Sequence, residues 1–198
     1  MRSFFVLLLA CILSKPASSQ EEMGDCIRKG FNNIDSIVKL GKDPYEDWKK
    51  CVIGKPIPEF SVRTIDGDTV SVNEIKGKVL VLNFWSIDCH PCIAEMPGMN
   101  KLVEDYKKKD VVFLALTWES VKRIHNDFFP KYRFDFIIAP DVMPVINKIW
   151  GSGFPTTYII DQKGIIKNAW SGGRTDEKAG KEYYEKAKDG IDELLKGK

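Results

Sequence analysis

The strongest indication of the fold is the run Lys78-Val79-Leu80-Val81-Leu82-Asn83-Phe84-Trp85, which is followed closely by Cys89-His90-Pro91-Cys92. The first run is almost entirely apolar, which is typical of a strand in the middle of a sheet that is covered on both faces. A helix that begins just after the first cysteine directs backbone N–H groups and the positive end of its dipole at that sulfur, which favours the thiolate. The second cysteine lies one turn inside the helix, close enough to resolve a mixed disulfide. The pattern therefore predicts thiol and disulfide exchange at this junction.

The segments around this junction alternate between helical and strand patterns. Upstream, Asp66-Gly67-Asp68 separates two short β-type runs and predicts a hairpin. Downstream, a helix follows the cysteines, and Asp161-Gln162-Lys163-Gly164 turns the last two strands into a second hairpin. Further strands are predicted at 110–118, 134–138, 156–160 and 165–170, and further helices at 119–132, 141–150 and 175–196. This order predicts an α/β fold with a mixed central sheet and helices on both faces.

The first 19 residues have the pattern of a secretory signal. Met1-Arg2-Ser3 is a short positive start, residues 4–13 are apolar, and Ala17-Ser18-Ser19 offers small residues for cleavage. The apolar run is too short to span a bilayer. Because a small residue before Cys11 is also how bacterial lipoprotein signals look, a lipid anchor at Cys11 is the alternative to simple cleavage. In both cases we expect a periplasmic or otherwise extracytoplasmic protein, with membrane anchoring as one form.

The charge balance argues against a nucleic-acid partner. Cleavage after residue 19 removes Arg2 and Lys15 from the 30 basic residues and none of the 28 acidic residues. The remaining chain is formally neutral, whereas a nucleic-acid or anionic-membrane surface normally needs a basic excess.

Four of the five cysteines lie beyond the predicted signal. Apolar residues at helical spacing predict one helix from Asp25 to Gly41 and a second that begins at Asp43, with Pro44 at its first helical position. Cys26 at the start of the first helix then lies beside Cys51 at the end of the second. In an oxidising compartment this predicts a helical hairpin with a structural Cys26–Cys51 disulfide, and two free buried thiols are the alternative.

A proline-rich linker marks the boundary of the main domain. Gly54-Lys55-Pro56-Ile57-Pro58 cannot continue a helix. The predicted organisation is a signal peptide at 1–19, a short helical hairpin extension at 20–54 and the α/β domain at 55–198.

Three segments resemble the thioredoxin superfamily, and within it the exported TlpA/ResA-type thiol-disulfide oxidoreductases, over about residues 55–196. Asn83-Phe84-Trp85 leads to the cysteine pair, and Cys92-Ile93-Ala94-Glu95-Met96-Pro97 follows it. The third segment is Gly153-Phe154-Pro155-Thr156, which comes before a late strand. The resemblance implies a thioredoxin-like sheet and a cis peptide bond before Pro155, beside the cysteines, with a backbone edge for the substrate. It also implies substrate contacts from Trp85, His90, Pro91, Phe154 and Pro155.

Glu95 is the candidate proton handler of the site. It lies one helical turn after Cys92, and the resemblance implies a glutamate near the active cysteines. A buried carboxyl with a raised pKa could take the proton of Cys92 while that thiol attacks the mixed disulfide. A solvated surface glutamate is the alternative. Asn83 stands where thioredoxin carries a buried aspartate, which favours Glu95 for this role.

Two neighbours of Cys89 act in opposite directions. Protonated His90 stabilises the thiolate and makes the disulfide more oxidising, whereas Asp88 destabilises the thiolate by like charge. The family often has tryptophan at position 88, so the direction of electron flow stays open. His125 is expected to be an ordinary surface histidine.

The leading hypothesis is an extracytoplasmic enzyme that reduces disulfides in other proteins through its Cys89/Cys92 dithiol. Its partners would be disulfide-bearing extracytoplasmic proteins and a membrane electron donor, and it would need no cofactor besides the redox-active disulfide and no metal. Three alternatives stay open: a dithiol oxidase, a peroxiredoxin-type peroxidase, and a protein that binds Cu(I) through Cys89, His90 and Cys92.

Overall fold

The structure is a computed structural model that describes residues 23–28, 43–149 and 153–197. Residues 23–28 are helical. The helices are α1 (Glu46–Val52), α2 (His90–Tyr106), α3 (Val121–Arg123), α4 (Met143–Ile149) and α5 (Ala179–Lys196), with a π-helical turn at Ile124–Phe128. The strands are β1 (Ser61–Arg63), β2 (Thr69–Ser71), β3 (Val79–Phe84), β4 (Val111–Leu116), β5 (Ile137–Ala139), β6 (Thr156–Ile160) and β7 (Ile166–Ser171).

Five strands form the central sheet in the order β5-β4-β3-β6-β7. The strand β3 pairs in parallel with β4 and antiparallel with β6, while β4 pairs in parallel with β5 and β6 antiparallel with β7. The strands β1 and β2 form a separate antiparallel hairpin. All six residues of β3 are buried, as expected for the middle strand of a covered sheet. The predicted mixed sheet and the two predicted β-hairpins, β1–β2 and β6–β7, are confirmed.

Helices cover both faces of the sheet, and successive residues of β3 serve opposite faces because side chains alternate along a strand. Leu80, Leu82 and Phe84 pack with residues of α1 and α4. Val79 and Val81 pack on the other side with residues of α2 and α5. The two cores are therefore separated by the sheet, and α2 carries the second cysteine into one of them.

The segment before the main domain contributes to the core instead of forming a separate appendage. Cys26 and Cys51 are joined by a disulfide with their Cα atoms 5.4 Å apart. Met23, Trp48 and Val52 are fully buried together with Cys26. The Trp48 ring lies 5.7 Å from the ring of Tyr158 in the central sheet. Large apolar side chains of this segment thus complete one face of the sheet.

Three predicted helices have wrong boundaries. Helix α1 begins at Glu46 with Tyr45 as its N-cap, and Asp43 instead accepts a hydrogen bond of 2.8 Å from the Tyr45 backbone N–H in the preceding turn. In the predicted helix at 119–132, only Val121–Arg123 is α-helical before the π-helical turn. The signal peptide at 1–19 and most of the first hairpin helix lie outside the described residues.

The last helix also begins later than predicted, at Ala179, because Arg174 and Asp176 form an ion pair and Asp176 accepts the Lys178 backbone N–H. It crosses α2 very closely. A Cβ placed on Gly98 of α2 would lie 1.9 Å from the Gly180 carbonyl oxygen of α5. Among the described residues, no helix is long and apolar enough to cross a membrane.

Candidate active site

The two cysteines meet where β3 leads into α2. Cys89 is the N-cap of α2, and its sulfur accepts a hydrogen bond of 3.2 Å from the Cys92 backbone N–H. The two residues form a disulfide with their Cα atoms 5.2 Å apart. Cys89 is half-buried, whereas Cys92 is fully buried. The first sulfur is therefore accessible to a partner and the second lies beneath it.

Glu95 is a buried acid on the same helix. Its residue is only 5% exposed, and its Oε2 has no hydrogen-bond partner among the described residues. Burial is the main cause that raises the pKa of Glu95 to about 8; the charge of Lys186 opposes this rise, and the charge of Glu182 adds to it. The alternative of a solvated surface glutamate is therefore wrong. A carboxyl with this pKa exchanges its proton near neutral pH.

A small cavity lies beside Glu95. Its volume is about 40 Å³, which is enough room for a water molecule. The residues that line it come from α2, from β7 and the loop after it, and from α5: Glu95, Trp170, Gly172, Gly173, Arg174, Ala179, Glu182, Tyr183 and Lys186. The cavity therefore places the buried carboxyl next to polar residues of α5 and of the loop that precedes it.

Asn83 is buried at the end of β3 and holds the neighbouring strand. Its amide nitrogen donates to Thr157 Oγ1 at 3.0 Å and to the Thr156 carbonyl at 3.3 Å. Because an amide side chain does not titrate, Asn83 stabilises the pairing of β3 with β6 and takes no proton. Glu95 is the acidic group at this end of the described sheet that combines burial with a raised pKa.

The loop before Cys89 is held by two residues that the sequence analysis did not single out. The Ile87 backbone N–H donates to Glu119 Oε1 at 3.1 Å. Arg123 donates to Glu119 Oε2 at 2.7 Å and to Asp88 Oδ2 at 2.8 Å. Glu119 and Arg123 are four residues apart, a spacing that favours an ion pair, but nothing in the sequence connects them to the loop at Asp88.

Phe154 and Pro155 directly precede β6. The peptide bond between them is cis, as the resemblance implied. The Phe154 ring lies 4.5 Å from the ring of Trp118, which is 38% exposed. Trp118 was also missed by the sequence analysis, although it is a large aromatic residue directly after a buried strand. Phe154 and Trp118 together make an aromatic surface next to Pro155.

Trp85 does not belong to a substrate-contacting surface, and its predicted role is corrected. The residue is fully buried. Its ring lies 4.7 Å from the ring of Phe128 and 5.4 Å from that of Phe134. Trp85 directly follows the last residue of β3. Its side chain packs into the core on the inner side of the active-site loop, in the same buried cluster as Cys92.

His90 and Pro91 are more accessible. His90 is exposed and Pro91 half-buried at the beginning of α2. An open hollow of about 640 Å³ adjoins His90, and its lining residues are Ile87, Asp88, His90, Ile93, Ala94, Tyr132 and Thr175. The more distant His125 is exposed and packs against Phe129, with 5.3 Å between the ring centres. Within the described ranges, no cluster of three or more His, Cys, Asp or Glu side chains is arranged to hold a metal ion.

The sheet topology and the disulfide at the start of α2 define a thioredoxin-like protein with a redox-active cysteine pair. The sequence profile of the AhpC/TSA family matches residues 53–169, and the chain belongs to that family. It is similar to the thiol-disulfide oxidoreductase ResA of Bacillus anthracis, with 35% identity over 134 residues, 67% of this chain and 78% of that protein. It is also similar to the thioredoxin-like protein YneN of Bacillus subtilis, with 34% identity over 153 residues, 74% of this chain and 89% of that protein. The chain is accordingly a thiol-disulfide oxidoreductase.

Solved structures agree on the fold. A putative thiol:disulfide interchange protein DsbE from Chlorobium tepidum superposes with a TM-score of 0.62 at 24% identity, covering 72% of this chain and 97% of that one. A putative thioredoxin from Neisseria meningitidis gives a TM-score of 0.58 at 27% identity, covering 71% of this chain and 89% of that one. Both likenesses support the thioredoxin-like fold described above.

Proposed function

We propose that this protein reduces disulfides in other proteins outside the cytoplasm, with Cys89 as the attacking thiol and Cys92 as the resolving thiol. The difference in exposure between the two cysteine residues carries this proposal. Cys89 is half-buried at the positive end of the α2 dipole, whereas Cys92 is fully buried one turn further along. Helix N-termini favour a thiolate, so the accessible cysteine is also the better nucleophile.

The reaction exchanges one disulfide for another. The Cys89 thiolate attacks one sulfur of the substrate disulfide, the substrate S–S bond breaks, and the leaving thiolate takes up a proton. The Cys92 thiol then loses its proton and attacks the Cys89 sulfur, which releases the second substrate thiolate. The products are a dithiol substrate and the Cys89–Cys92 disulfide that the structure contains. Two electrons pass from the protein to the substrate.

Glu95 is the proposed proton acceptor for Cys92. It follows Cys92 by three residues on α2, and its pKa of about 8 allows it to hold or release a proton near neutral pH. In its ionised form it takes the proton of Cys92. The neighbouring cavity gives that proton a route to a water molecule.

The charge of Asp88 supports reduction over oxidation. Strongly oxidising dithiols owe their potential to a stabilised reduced form. Here Asp88 directly precedes Cys89, and a like charge disfavours the Cys89 thiolate. A reduced state with a less stabilised thiolate gives up its electrons more readily.

A reductase outside the cytoplasm needs a source of electrons. We propose that a membrane electron donor reduces the Cys89–Cys92 disulfide after each turnover, and that no further cofactor is required. Residues 1–19 carry the signal pattern that supports export, with a lipid anchor at Cys11 as the alternative form. The substrates are disulfide-bearing proteins, which meet the enzyme at His90, Pro91 and Phe154, with Trp118 added from the structure, whereas Pro155 is buried and its carbonyl accepts the Gly172 backbone N–H at 2.9 Å.

Insulin disulfide reduction with a chemical reductant tests the proposal. We expect Cys89→Ser to abolish activity and Cys92→Ser to trap a mixed disulfide with the substrate. The double variant Cys26→Ser/Cys51→Ser is the matched control, because it removes the other disulfide and keeps the dithiol. Activity that persists in Cys89→Ser would contradict the assignment.

The reduction potential distinguishes the reductase from its alternatives. A value near about −270 mV supports a reductase, and one near about −120 mV supports a dithiol oxidase. Rapid consumption of peroxide by the reduced protein, lost in Cys89→Ser, would instead favour the peroxidase alternative. Copper bound stoichiometrically by the anaerobically reduced protein would favour the Cu(I) alternative.

A further inference from the structure

Arg123 links the loop before Cys89 to a buried carboxylate. One of its guanidinium nitrogens lies 2.7 Å from Glu119 Oε2 and another lies 2.8 Å from Asp88 Oδ2. The Glu119 side chain is only 2% exposed, while that of Asp88 is 76% exposed. Arg123 therefore joins a buried carboxylate to an exposed one, and the planar fork of a guanidinium suits both contacts at once.

Buried Glu119 contacts both Arg123 and the backbone of the loop before Cys89. Its Oε1 accepts the Ile87 backbone N–H at 3.1 Å, so a single carboxylate holds both the loop backbone and Arg123. Ser120 caps helix α3 by accepting the Arg123 backbone N–H at 3.2 Å, which sets where the arginine side chain begins. The arginine also lies 3.8 Å from Asp127, an exposed carboxylate on the π-helical turn.

The charge of Asp88 bears directly on the neighbouring cysteine. A carboxylate beside a thiolate disfavours that thiolate and so stabilises the disulfide relative to the dithiol. The ion pair with Arg123 offsets this effect and keeps the carboxylate on the side that faces α3. The hydrogen bonds from Arg123 to Asp88 and Glu119 correspondingly raise the pKa of the guanidinium.

We propose that Arg123 is a positioning residue of the dithiol site, which holds Asp88 against buried Glu119 and thereby sets the electrostatic field at the Cys89 sulfur and the redox equilibrium of the pair. This inference rests on the proposed role of Cys89 as the attacking thiol. It concerns a contact that connects three separate segments: the loop after β3, the loop after β4 and helix α3.

The test measures the redox equilibrium with glutathione for a set of charge variants at low ionic strength. Arg123→Gln exposes the Asp88 charge, and we expect the equilibrium to shift about threefold toward a more reducing couple, the size that exposed ion pairs support. For this two-electron couple, a threefold change corresponds to about 14 mV. Asp88→Asn should shift the equilibrium in the opposite direction, because it leaves the arginine charge uncompensated.

The double variant Asp88→Asn/Arg123→Gln separates the electrostatic role from a purely structural one. Removal of both charges should return the equilibrium toward that of the unchanged protein. Arg123→Lys should keep most of the effect, and Lys122→Gln is the matched control because it removes a neighbouring positive charge and leaves both contacts of Arg123 in place. High salt should reduce the Arg123→Gln shift, since these groups are solvent-accessible.

Three results would overturn the proposal. The first is a shift of the redox equilibrium in the same direction for Arg123→Gln and Asp88→Asn. The second is a double variant whose redox equilibrium does not move back toward that of the unchanged protein. The third is an Arg123→Gln shift no larger than that of Lys122→Gln. A separate alkylation of the reduced protein shows which cysteine is accessible. If Cys92 reacts first, the proposed role of Cys89 fails, whereas the redox shifts still report on Arg123.

Discussion

The Glu95 carboxyl lies directly against the backbone of Gly173. A Cβ placed on Gly173 would come within 2.5 Å of Glu95 Oε1 and 3.2 Å of Pro155 Cγ. The loop after β7 can therefore cover the buried acid only because residue 173 has no side chain. Gly173 therefore lies close to both Glu95 on α2 and the cis Pro155 before β6.

Gly173→Ala should displace the Glu95 carboxyl. The added methyl group overpacks a closed site, so we expect the free energy of unfolding to fall by about 1–3 kcal/mol. Combining it with Glu95→Asp, which shortens the acid by one methylene, should cost less than the sum of the two single changes. Urea unfolding of the four proteins measures this coupling. Strictly additive losses would show that residue 173 does not press on the carboxyl.

Glu95→Gln should change how stability depends on pH. The pKa of Glu95 is raised from 4.5 to about 8 on folding, so between these values the native state holds a proton that the unfolded chain has released. Stability contributed by the neutral carboxyl is therefore present at low pH and is lost as the pH rises through this window, by up to about 1.4 kcal/mol per pH unit.

The glutamine variant has no such proton, so its free energy of unfolding should decline less steeply with pH than that of the unchanged protein. Urea unfolding of the oxidised proteins across the window from about pH 5 to about pH 8 provides the comparison. Glu182→Gln is a useful control, because this exposed residue raises the pKa of Glu95 through its charge alone and is the smallest of the three causes. Parallel pH curves for the Glu95→Gln variant and the unchanged protein would contradict the raised pKa.

The sequence predicted the position of the cysteine pair well because the signals there are local. An all-apolar run identifies a central strand, and a proline near the start of a helix marks where that helix begins. The same all-apolar pattern hides which face each residue occupies, since the alternation between apolar and polar residues disappears. Trp85 was therefore assigned to the substrate surface, although it packs inward against Phe128 and Phe134.

Contacts between distant segments could not be read from the sequence. The bridge from Glu119 through Arg123 to Asp88 depends on how β4 lies beside β3, and the approach of Gly173 to Glu95 depends on the path after β7. The π-helical turn has no local marker either. Its defining hydrogen bond, from the Phe129 N–H to the Ile124 carbonyl at 3.0 Å, forms within a segment whose apolar spacing also suits an ordinary helix.

Removal of the Cys26–Cys51 disulfide should destabilise the main domain as well as the segment that carries it. The bond closes a loop with a sequence separation of 25 residues, which corresponds to about 3.5 kcal/mol in the chain-entropy relation. Because Trp48 packs against Tyr158 in the sheet, loosening this segment also exposes one face of the core.

The double variant Cys26→Ser/Cys51→Ser tests this through urea unfolding monitored by tryptophan fluorescence. We expect a lower midpoint and a single transition, since the segment and the domain share a core. A separate early transition with an unchanged main midpoint would instead show that the segment unfolds independently. Insulin reduction under native conditions should be retained, because the Cys89 and Cys92 dithiol is intact.

The crossing of α2 and α5 should be intolerant of a side chain at Gly98 and tolerant of one at Gly180. A Cβ on Gly98 meets the Gly180 carbonyl oxygen at 1.9 Å and its carbonyl carbon at 2.7 Å, and backbone atoms cannot move aside as the end of a side chain can. Gly98→Ala must therefore push the two helices apart, and we expect a loss of about 3 kcal/mol or more in the free energy of unfolding.

Gly180→Ala is the matched control for this helix crossing. Its Cβ would lie 3.1 Å from the Gly98 nitrogen and 3.4 Å from Pro97 Cβ, a tight contact that small shifts relieve. Alanine is favoured over glycine in a helix by about 1 kcal/mol, which offsets part of the crowding at both positions. The free energy of unfolding measured in urea should thus differ clearly between the two variants.

The same crossing protects the resolving cysteine, because α2 also carries Cys92 and Glu95. Separation of the helices should expose the buried thiol. Alkylation of Cys92 in the reduced protein should therefore become faster in Gly98→Ala and stay unchanged in Gly180→Ala. Equal stability losses in the two variants would contradict the asymmetric contact.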